Sequence, residues 1–306
     1  MYDIIVIGGG PAGMTAALYA RRNGKSVLVI EKNGFGGQIT YSPRVENYPG
    51  TMQMSGNQFA DAMMDQILEH GAEVELAEAV GIECGGEGLW VATDDGGRYA
   101  ALAVIIACGV KHRMLGLENE ERLVGDGISF CAVCDGDFYA GKDVLVAGGG
   151  NSALQEAILL SSKAKSVSLI QDMDFFTGEK ALQDVLFSKD NVRGFTGMKI
   201  TSLMEKDGSF CGLKAIKVST GEEMTFEADG LFEAIGLIPE NDAFADVASL
   251  DRYGYFDSGE DALTVTPGVF VAGDCRAKSV RQLTTAVGDG AAAAVAATNY
   301  IDSLGK

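Results

Sequence analysis

One pattern occurs twice in this chain, and it restricts the possible folds more than any other feature. Ile4-Ile5-Val6-Ile7 is a short β-branched run that ends in Gly8-Gly9-Gly10-Pro11-Ala12-Gly13. Met14 to Asn23 has helical composition and stops before Gly24, and Val27-Leu28-Val29-Ile30 is a second strand ending in Glu31. The same order returns at Val144-Leu145-Val146-Ala147, Gly148-Gly149-Gly150-Asn151-Ser152-Ala153, a helical Leu154 to Ser162 and a strand Val167-Ser168-Leu169-Ile170. In Gly8-x-Gly10-x-x-Gly13 the first glycine permits the tight turn, the second lets the backbone approach a pyrophosphate, and the third lets helix and strand pack closely. The helix N-terminus then faces the phosphates, and Glu31 can accept from ribose hydroxyls. The repeat predicts an α/β protein with two Rossmann-like, three-layer dinucleotide-binding domains, the second inserted into the first.

A length of 306 residues accommodates two domains with ample core. A net charge of -19 argues against a nucleic-acid partner, since neutralising phosphates needs a basic surface. Met1-Tyr2-Asp3 leads directly into the first strand, with no signal peptide before it. No uncharged apolar run reaches membrane-spanning length; Ala291 to Ala297 is bounded by Asp289 and Asn299. A cytoplasmic protein without a membrane partner is expected. In a reducing compartment, six cysteines with one Cys-x-x-C suggest a catalytic or redox pair rather than a structural framework.

That pair is Cys131 and Cys134, in Phe130-Cys131-Ala132-Val133-Cys134-Asp135-Gly136. Thiol exchange needs a thiolate to attack and a proton for the departing sulfur, and Asp135 is placed to act as the acid. A zinc site needs about four ligands; no second pair of matching spacing exists, so no metal is expected. Cys84, Cys108, Cys211 and Cys275 are read as packing residues. His70 and His112 share no metal-ligand spacing, and neither is a convincing general base. Gln53 to His70 predicts an amphipathic helix, residues 72 to 106 a series of short strands, and Lys111 to Gly127 a connection into the second unit.

Gly34-Phe35-Gly36-Gly37-Gln38-Ile39 and Val45-Glu46-Asn47-Tyr48-Pro49-Gly50, in this order after the first glycine turn, resemble the flavin-side loops of low-molecular-weight thioredoxin reductases. Ala234-Ile235-Gly236-Leu237-Ile238-Pro239 resembles that family's return segment, and Val269-Phe270-Val271-Ala272-Gly273-Asp274 its second flavin strand. The resemblance runs over essentially the whole chain. It implies an FAD domain at 1–112 and 239–306, and an inserted redox domain at 113–238. It implies that FAD is held by Gly8, Gly10, Pro11, Ala12 and Gly13, with Glu31 and Lys32 after the second strand. Gly37, Gln38 and Asn47 would join from the loops, and Gly273, Asp274, Arg281 and Gln282 from the C-terminal part. It also implies that Cys134 sits against the flavin, that Cys131 attacks the disulfide of a thioredoxin-like protein, that Cys134 resolves the mixed disulfide, and that the protein is a homodimer.

The electron donor is where the chain departs from the family pattern. Where NADPH-using members have His-Arg-Arg after the strand following the second glycine turn, this chain has Gln171-Asp172-Met173. No guanidinium fork is present there for a 2′-phosphate, and Asp172 would repel one. Asn151 also stands where the family has an acid. NADPH is therefore disfavoured, and the chain is similar to the ferredoxin-dependent flavin thioredoxin reductases. Phe175-Phe176-Thr177-Gly178 supports that reading as a bulky filling of the nucleotide site. Lys111, Arg113, Arg276, Lys278 and Arg281 form a candidate docking patch for an acidic ferredoxin. Two alternatives stand beside it: an NADH-dependent reductase in which Asp172 accepts from ribose hydroxyls, and a flavoprotein that transfers electrons or binds a partner without turning over a thioredoxin.

Overall fold

The computed structural model describes residues 1–42, 44–86 and 88–305. The chain divides into two compact units, Met1–Lys111 with Ile238–Lys306, and His112–Leu237. The expected boundaries fall one residue beyond these at each crossing.

In chain order unit 1 begins with β1 (Tyr2–Ile7), α1 (Pro11–Arg22), β2 (Val27–Glu31), α2 (Gly56–Glu69), β3 (Glu73–Leu76), β4 (Ala79–Gly85), β5 (Gly88–Thr93) and β6 (Arg98–Ile106). The chain crosses on β7 (Val110–His112). Unit 2 holds α3 (Glu120–Leu123), β8 (Ile128–Ser129), α4 (Ala132–Asp135), β9 (Asp143–Ala147), α5 (Asn151–Ser161), β10 (Ser166–Ile170), α6 (Lys180–Phe187), β11 (Val192–Phe195), β12 (Met198–Lys206), β13 (Ser209–Lys217), β14 (Glu223–Glu227) and β15 (Gly230–Glu233). The return is on β16 (Leu237–Pro239), followed by β17 (Val269–Val271) and α7 (Leu283–Leu304).

Among the described residues, the sheet of unit 1 runs β3-β2-β1-β6-β5-β4, with β17 also on β6. Strands β3, β2, β1, β6 and β17 are parallel to their neighbours, whereas β4, β5 and β6 form an antiparallel meander. Because side chains alternate along a strand, β1 and β2 feed two cores. Ile4, Val6, Val27 and Val29 pack under α1 and α7, while Ile5, Ile7, Leu28 and Ile30 pack on the opposite face with Val91, Phe244 and Phe256. Alanines line the α1–α7 contact, with Ala12, Ala16, Ala17 and Ala20 meeting Ala293, Ala294 and Ala297.

The helix expected from Gln53 starts at Gly56, because Ser55 closes a capping box: its hydroxyl accepts from the Gln58 N–H, and its own N–H donates to the Gln58 side chain. Unit 2 carries a parallel sheet β11-β10-β9-β15-β8 and a separate antiparallel sheet β12-β13-β14. Among the described residues no helix is long and apolar enough to cross a membrane.

Candidate functional site

The two glycine turns have the same geometry. Gly8 and Gly148 have φ of 107° and 125°, a region that favours glycine. The Gly8 N–H donates to Ile30 O at 2.8 Å and the Gly148 N–H to Ile170 O at 2.9 Å, so each turn is tied to the second strand of its own unit. Gly10 and Gly150 cap α1 and α5 with extended backbone. A Cβ on Gly10 would meet no neighbour closer than 4.0 Å, and one on Gly150 none closer than 3.8 Å. The backbone at these two positions is therefore not crowded by its neighbours.

In unit 1 the expected cofactor residues fall into two groups. The Glu31 carboxylate accepts from the Gly9 N–H at 2.6 Å and the Asn33 N–H at 2.9 Å, so it shapes the loop first, and each oxygen keeps a lone pair for a ribose hydroxyl. Asn47 and Gln282, far apart in sequence, meet: the Asn47 amide donates to Gln282 Oε1 at 3.3 Å. Gln282 caps α7 and Gly37 opens a short 3-10 turn, Gly37–Tyr41. Asp274 is half-buried in the turn Gly273–Cys275, and desolvation raises its pKa. Its Oδ1 has no hydrogen-bond partner and lies 3.5 Å from the Lys278 ammonium. An open cradle at Gly10 and a buried acceptor without a donor fit a group rich in phosphate and hydroxyls.

Three expectations in this unit change. Lys32 is held by Glu240 at 2.9 Å and Glu78 at 3.3 Å, so its charge is already matched within the protein. The Gln38 amide nitrogen donates to the Val110 carbonyl, leaving only its oxygen for a ligand. The basic patch is divided: Lys111 and Arg113 are exposed, whereas the Arg276 and Lys278 side chains are internal. Arg276 and Lys278 are buried and both bind Asp289, at 2.8 and 3.0 Å, while Lys111 pairs with Glu240 at 2.7 Å. Arg281 stacks on Tyr255, 4.2 Å from the ring centre, and donates to the Asp274 and Arg276 carbonyls. Charges spent in this way offer little to an acidic partner.

In unit 2, Cys131 and Cys134 form a disulfide with Cα atoms 5.3 Å apart. Cys131 is the N-cap of α4, and its sulfur and carbonyl both accept from the Cys134 N–H, at 3.2 and 3.1 Å. Ser129, at the end of β8, links the motif to its acid: its hydroxyl accepts from the Cys131 N–H at 3.1 Å and donates to Asp135 Oδ2 at 2.6 Å. Burial raises the Asp135 pKa and the Ser129 hydrogen bond opposes it, while Oδ1 is buried without a partner. Desolvation of this kind favours the protonated form of the carboxyl. His112 stacks on Phe130 with ring centres 4.3 Å apart, and burial lowers its pKa to about 4, so the ring is uncharged at neutral pH. Val133, between the cysteines, is exposed.

The second glycine turn differs from what its neighbouring residues suggested. Phe175 is exposed, and Phe176 packs against Phe187 at 5.1 Å in the core beneath α5 and α6. Neither fills the turn. Asn151 instead clamps the following segment, accepting from the Glu179 N–H at 2.7 Å and donating to its carboxylate at 3.0 Å. Asp172 is exposed just beyond β10.

Two further acids escaped the sequence reading. Glu233, the last residue of β15, is buried with neither oxygen hydrogen-bonded and faces Glu120, whose carboxylate accepts from the Leu115 and Leu117 N–H groups. Burial, then Glu120, push Glu233 up to about 9. The signal available in sequence was a lone acid inside the apolar run Leu231 to Ile235. Since its folded pKa lies above the unfolded one, its contribution to stability is complete below the ordinary glutamate range and is lost as pH rises through about 9. Glu233→Gln, which mimics the protonated acid, is expected to flatten that decline, with a gain of about 1–3 kcal/mol at the alkaline end. Thermal melts from pH 6 to 10 check it, and equal slopes for the two proteins would refute the assignment.

A chain with the dinucleotide-binding fold in both units and an oxidisable cysteine pair in one of them is, as a class, a dinucleotide-dependent disulfide oxidoreductase. The family model described as "Pyridine nucleotide-disulphide oxidoreductase" matches residues 2–290. The chain belongs to that family, in its low-molecular-weight thioredoxin reductase branch. It is 38% identical to the thioredoxin reductase of Listeria monocytogenes over 304 residues, covering 99% of this chain and 95% of that one. It is 36% identical to the Bacillus subtilis thioredoxin reductase over 304 residues, with 99% and 96% covered. The solved thioredoxin reductase of Streptococcus pyogenes superposes with a TM-score of 0.93 at 39% identity, covering 99% of both chains.

Proposed function

We propose that this protein is an FAD-dependent reductase that takes electrons from a nicotinamide dinucleotide and passes them through Cys131 and Cys134 to a thioredoxin-like protein. The observation that carries the reading is the Cys131–Cys134 disulfide with the Ser129–Asp135 relay behind it. The names of the relatives support the thioredoxin-like partner. FAD, when bound in unit 1, supplies a carrier able to take two electrons from a dinucleotide and give them to a disulfide. Gly8 to Gly13 would hold its pyrophosphate and Glu31 its ribose, Asp274 Oδ1 would accept from a hydroxyl, and Asn47 and Gln282 would meet it as a pair.

In the reduced state the Cys131 thiolate attacks one sulfur of the partner disulfide. The partner S–S bond breaks, and Asp135 serves as the acid that supplies a proton to the departing thiolate. The Cys134 thiolate then attacks Cys131 Sγ, re-forms the internal disulfide and releases the second partner sulfur as a thiolate, which takes its proton from water. The homodimer implied by the family resemblance is part of this reading.

For the donor, the phenylalanines do not supply the bulky filling expected at the nucleotide site, and Arg276 and Lys278 of the basic patch are paired inside unit 1, while the first ground for ferredoxin, the missing guanidinium at Gln171-Asp172-Met173, is unchanged. The family description, with its pyridine nucleotide, weighs against excluding NADPH outright. Within the nicotinamide class, Asp172 in place of a guanidinium supports NADH. The test is anaerobic mixing of the oxidised holoprotein with NADH, NADPH or reduced ferredoxin while flavin absorbance is followed. Bleaching is expected fastest with NADH. Faster bleaching by NADPH removes the role given to Asp172, and bleaching by ferredoxin alone overturns the donor class.

A further inference from the structure

We propose that Asp289 is a positioning residue for the cofactor site of unit 1. By holding the Lys278 ammonium it leaves Asp274 Oδ1 free to accept from a hydroxyl of the dinucleotide, an assignment that rests on FAD being the ligand there. Asp289 lies on α7 where that helix touches the first glycine turn. Its neighbour Gly290 has no room for a side chain, since a Cβ there would lie 2.1 Å from the Ala12 carbonyl oxygen. A Cβ on Gly273 would lie 2.8 Å from Ala12 Cβ. The start of α1, the turn Gly273–Cys275 and α7 therefore converge within unit 1, and Asp289 stands at their junction.

The Asp289 carboxylate anchors this junction. Its Oδ2 accepts from the Gly273 N–H at 3.0 Å, from Arg276 Nε at 2.8 Å and from Lys278 Nζ at 3.0 Å, and its Oδ1 accepts from Arg276 Nη2 at 2.9 Å. The guanidinium pairing is bidentate, a geometry that fixes both groups. Side-chain exposure is 10% for Asp289, 6% for Arg276 and 7% for Lys278, so solvent does little to screen these charges. Glu260, the second anion on Arg276 at 3.1 Å, is 93% exposed and adds little.

Lys278 stands between two carboxylates. It donates to Asp289 and lies 3.5 Å from Asp274 Oδ1 without a hydrogen bond to it. Asp274 thus has a cation near enough to favour its ionised form, while Oδ1 keeps its lone pairs. Arg281 does not compete for that oxygen, because it donates to the Asp274 backbone carbonyl at 3.2 Å and stacks on Tyr255. A buried ammonium that loses its anion is costly. With an amide at position 289, Lys278 turns to the remaining carboxylate, and the hydrogen bond it makes there occupies the oxygen meant for the cofactor.

The experiment follows FAD release from the purified holoprotein on dilution, read as recovery of free-flavin fluorescence. Asp274→Ala, which lacks the acceptor, is expected to release FAD about 10- to 100-fold faster than wild type, and Asp289→Asn should match it. Removing the ammonium as well, in Asp289→Asn with Lys278→Met, should return release to within about threefold of wild type at a mildly alkaline pH that keeps Asp274 ionised. A carboxylate needed only for folding, or only for holding Gly273, would show no such rescue. Wild-type release from Asp289→Asn, or release from the double variant as fast as from Asp289→Asn, overturns the proposal alone. Wild-type release from Asp274→Ala overturns the contact assigned to Asp274, and the proposal with it. Should Asp289→Asn fail to fold, Lys278→Met is compared with the double variant: equal release is expected, and faster release from the double variant is the overturning result.

Discussion

Cys134→Ser is expected to abolish multiple turnover with a thioredoxin-like protein, by on the order of 10³-fold or more, and to leave the partner covalently attached to Cys131. Both outcomes follow from dividing attack and resolution between two sulfurs. With the second sulfur gone, attack by Cys131 still breaks the partner disulfide, but no thiolate remains to free the enzyme. Cys131→Ser should lose turnover equally and form no adduct. Non-reducing mass spectrometry of each variant with oxidised partner distinguishes them. An adduct on Cys134 in Cys131→Ser, and none on Cys131 in Cys134→Ser, reverses the roles. Asp135→Asn should keep the adduct chemistry but slow the exchange by about 10²-fold, because an amide cannot hand over the proton.

The second large effect is expected from Gly13→Ala. A Cβ on Gly13 would lie 1.8 Å from the Gly8 carbonyl oxygen and 3.2 Å from Val6 Cγ1. An ordinary carbon–oxygen contact is about 3.3 Å or more. The obstructing atom is backbone, already fixed by the Gly8 N–H bond to Ile30 O, so the turn and the first residues of α1 must move together. Overpacking of this kind costs about 1–3 kcal/mol or more, and it deforms the turn proposed to hold the cofactor's pyrophosphate. The variant should purify without flavin and melt at a lower temperature. Gly86→Ala, with nothing within 4 Å of its Cβ, is the control and should keep both properties. Flavin content at the wild-type level in Gly13→Ala would remove the first turn from the cofactor site.

The repeated glycine turns were legible in the sequence because a turn this tight needs glycine wherever backbone meets backbone, and spacing alone records that. The Cys131-x-x-Cys134 pair was legible for a similar reason, since its partners lie within one helical turn. Pairings set by the tertiary fold were not. Nothing near Lys32 in sequence announces Glu78 and Glu240, and Arg276 and Lys278 look like surface cations until Asp289 is seen to bind both. Phe175-Phe176 looked like one bulky filling, yet neighbouring side chains point apart, and one is exposed while the other joins the core.

The insertion at 111/112 and 237/238 also sets an order of assembly during synthesis. Every strand and helix that unit 2 needs is contiguous, so its core can close as soon as β15 has left the ribosome. The earlier-made part of unit 1 must wait. Until β17 arrives, β6 lacks one parallel neighbour along Val104 to Ile106, and until α7 arrives the alanine face of α1 has no cover. For the whole time that unit 2 is being made, the nascent chain presents an unpaired strand edge beside an apolar surface, the combination most open to wrong partners. The half of the protein begun first is therefore completed last, and the last helix synthesised seals it.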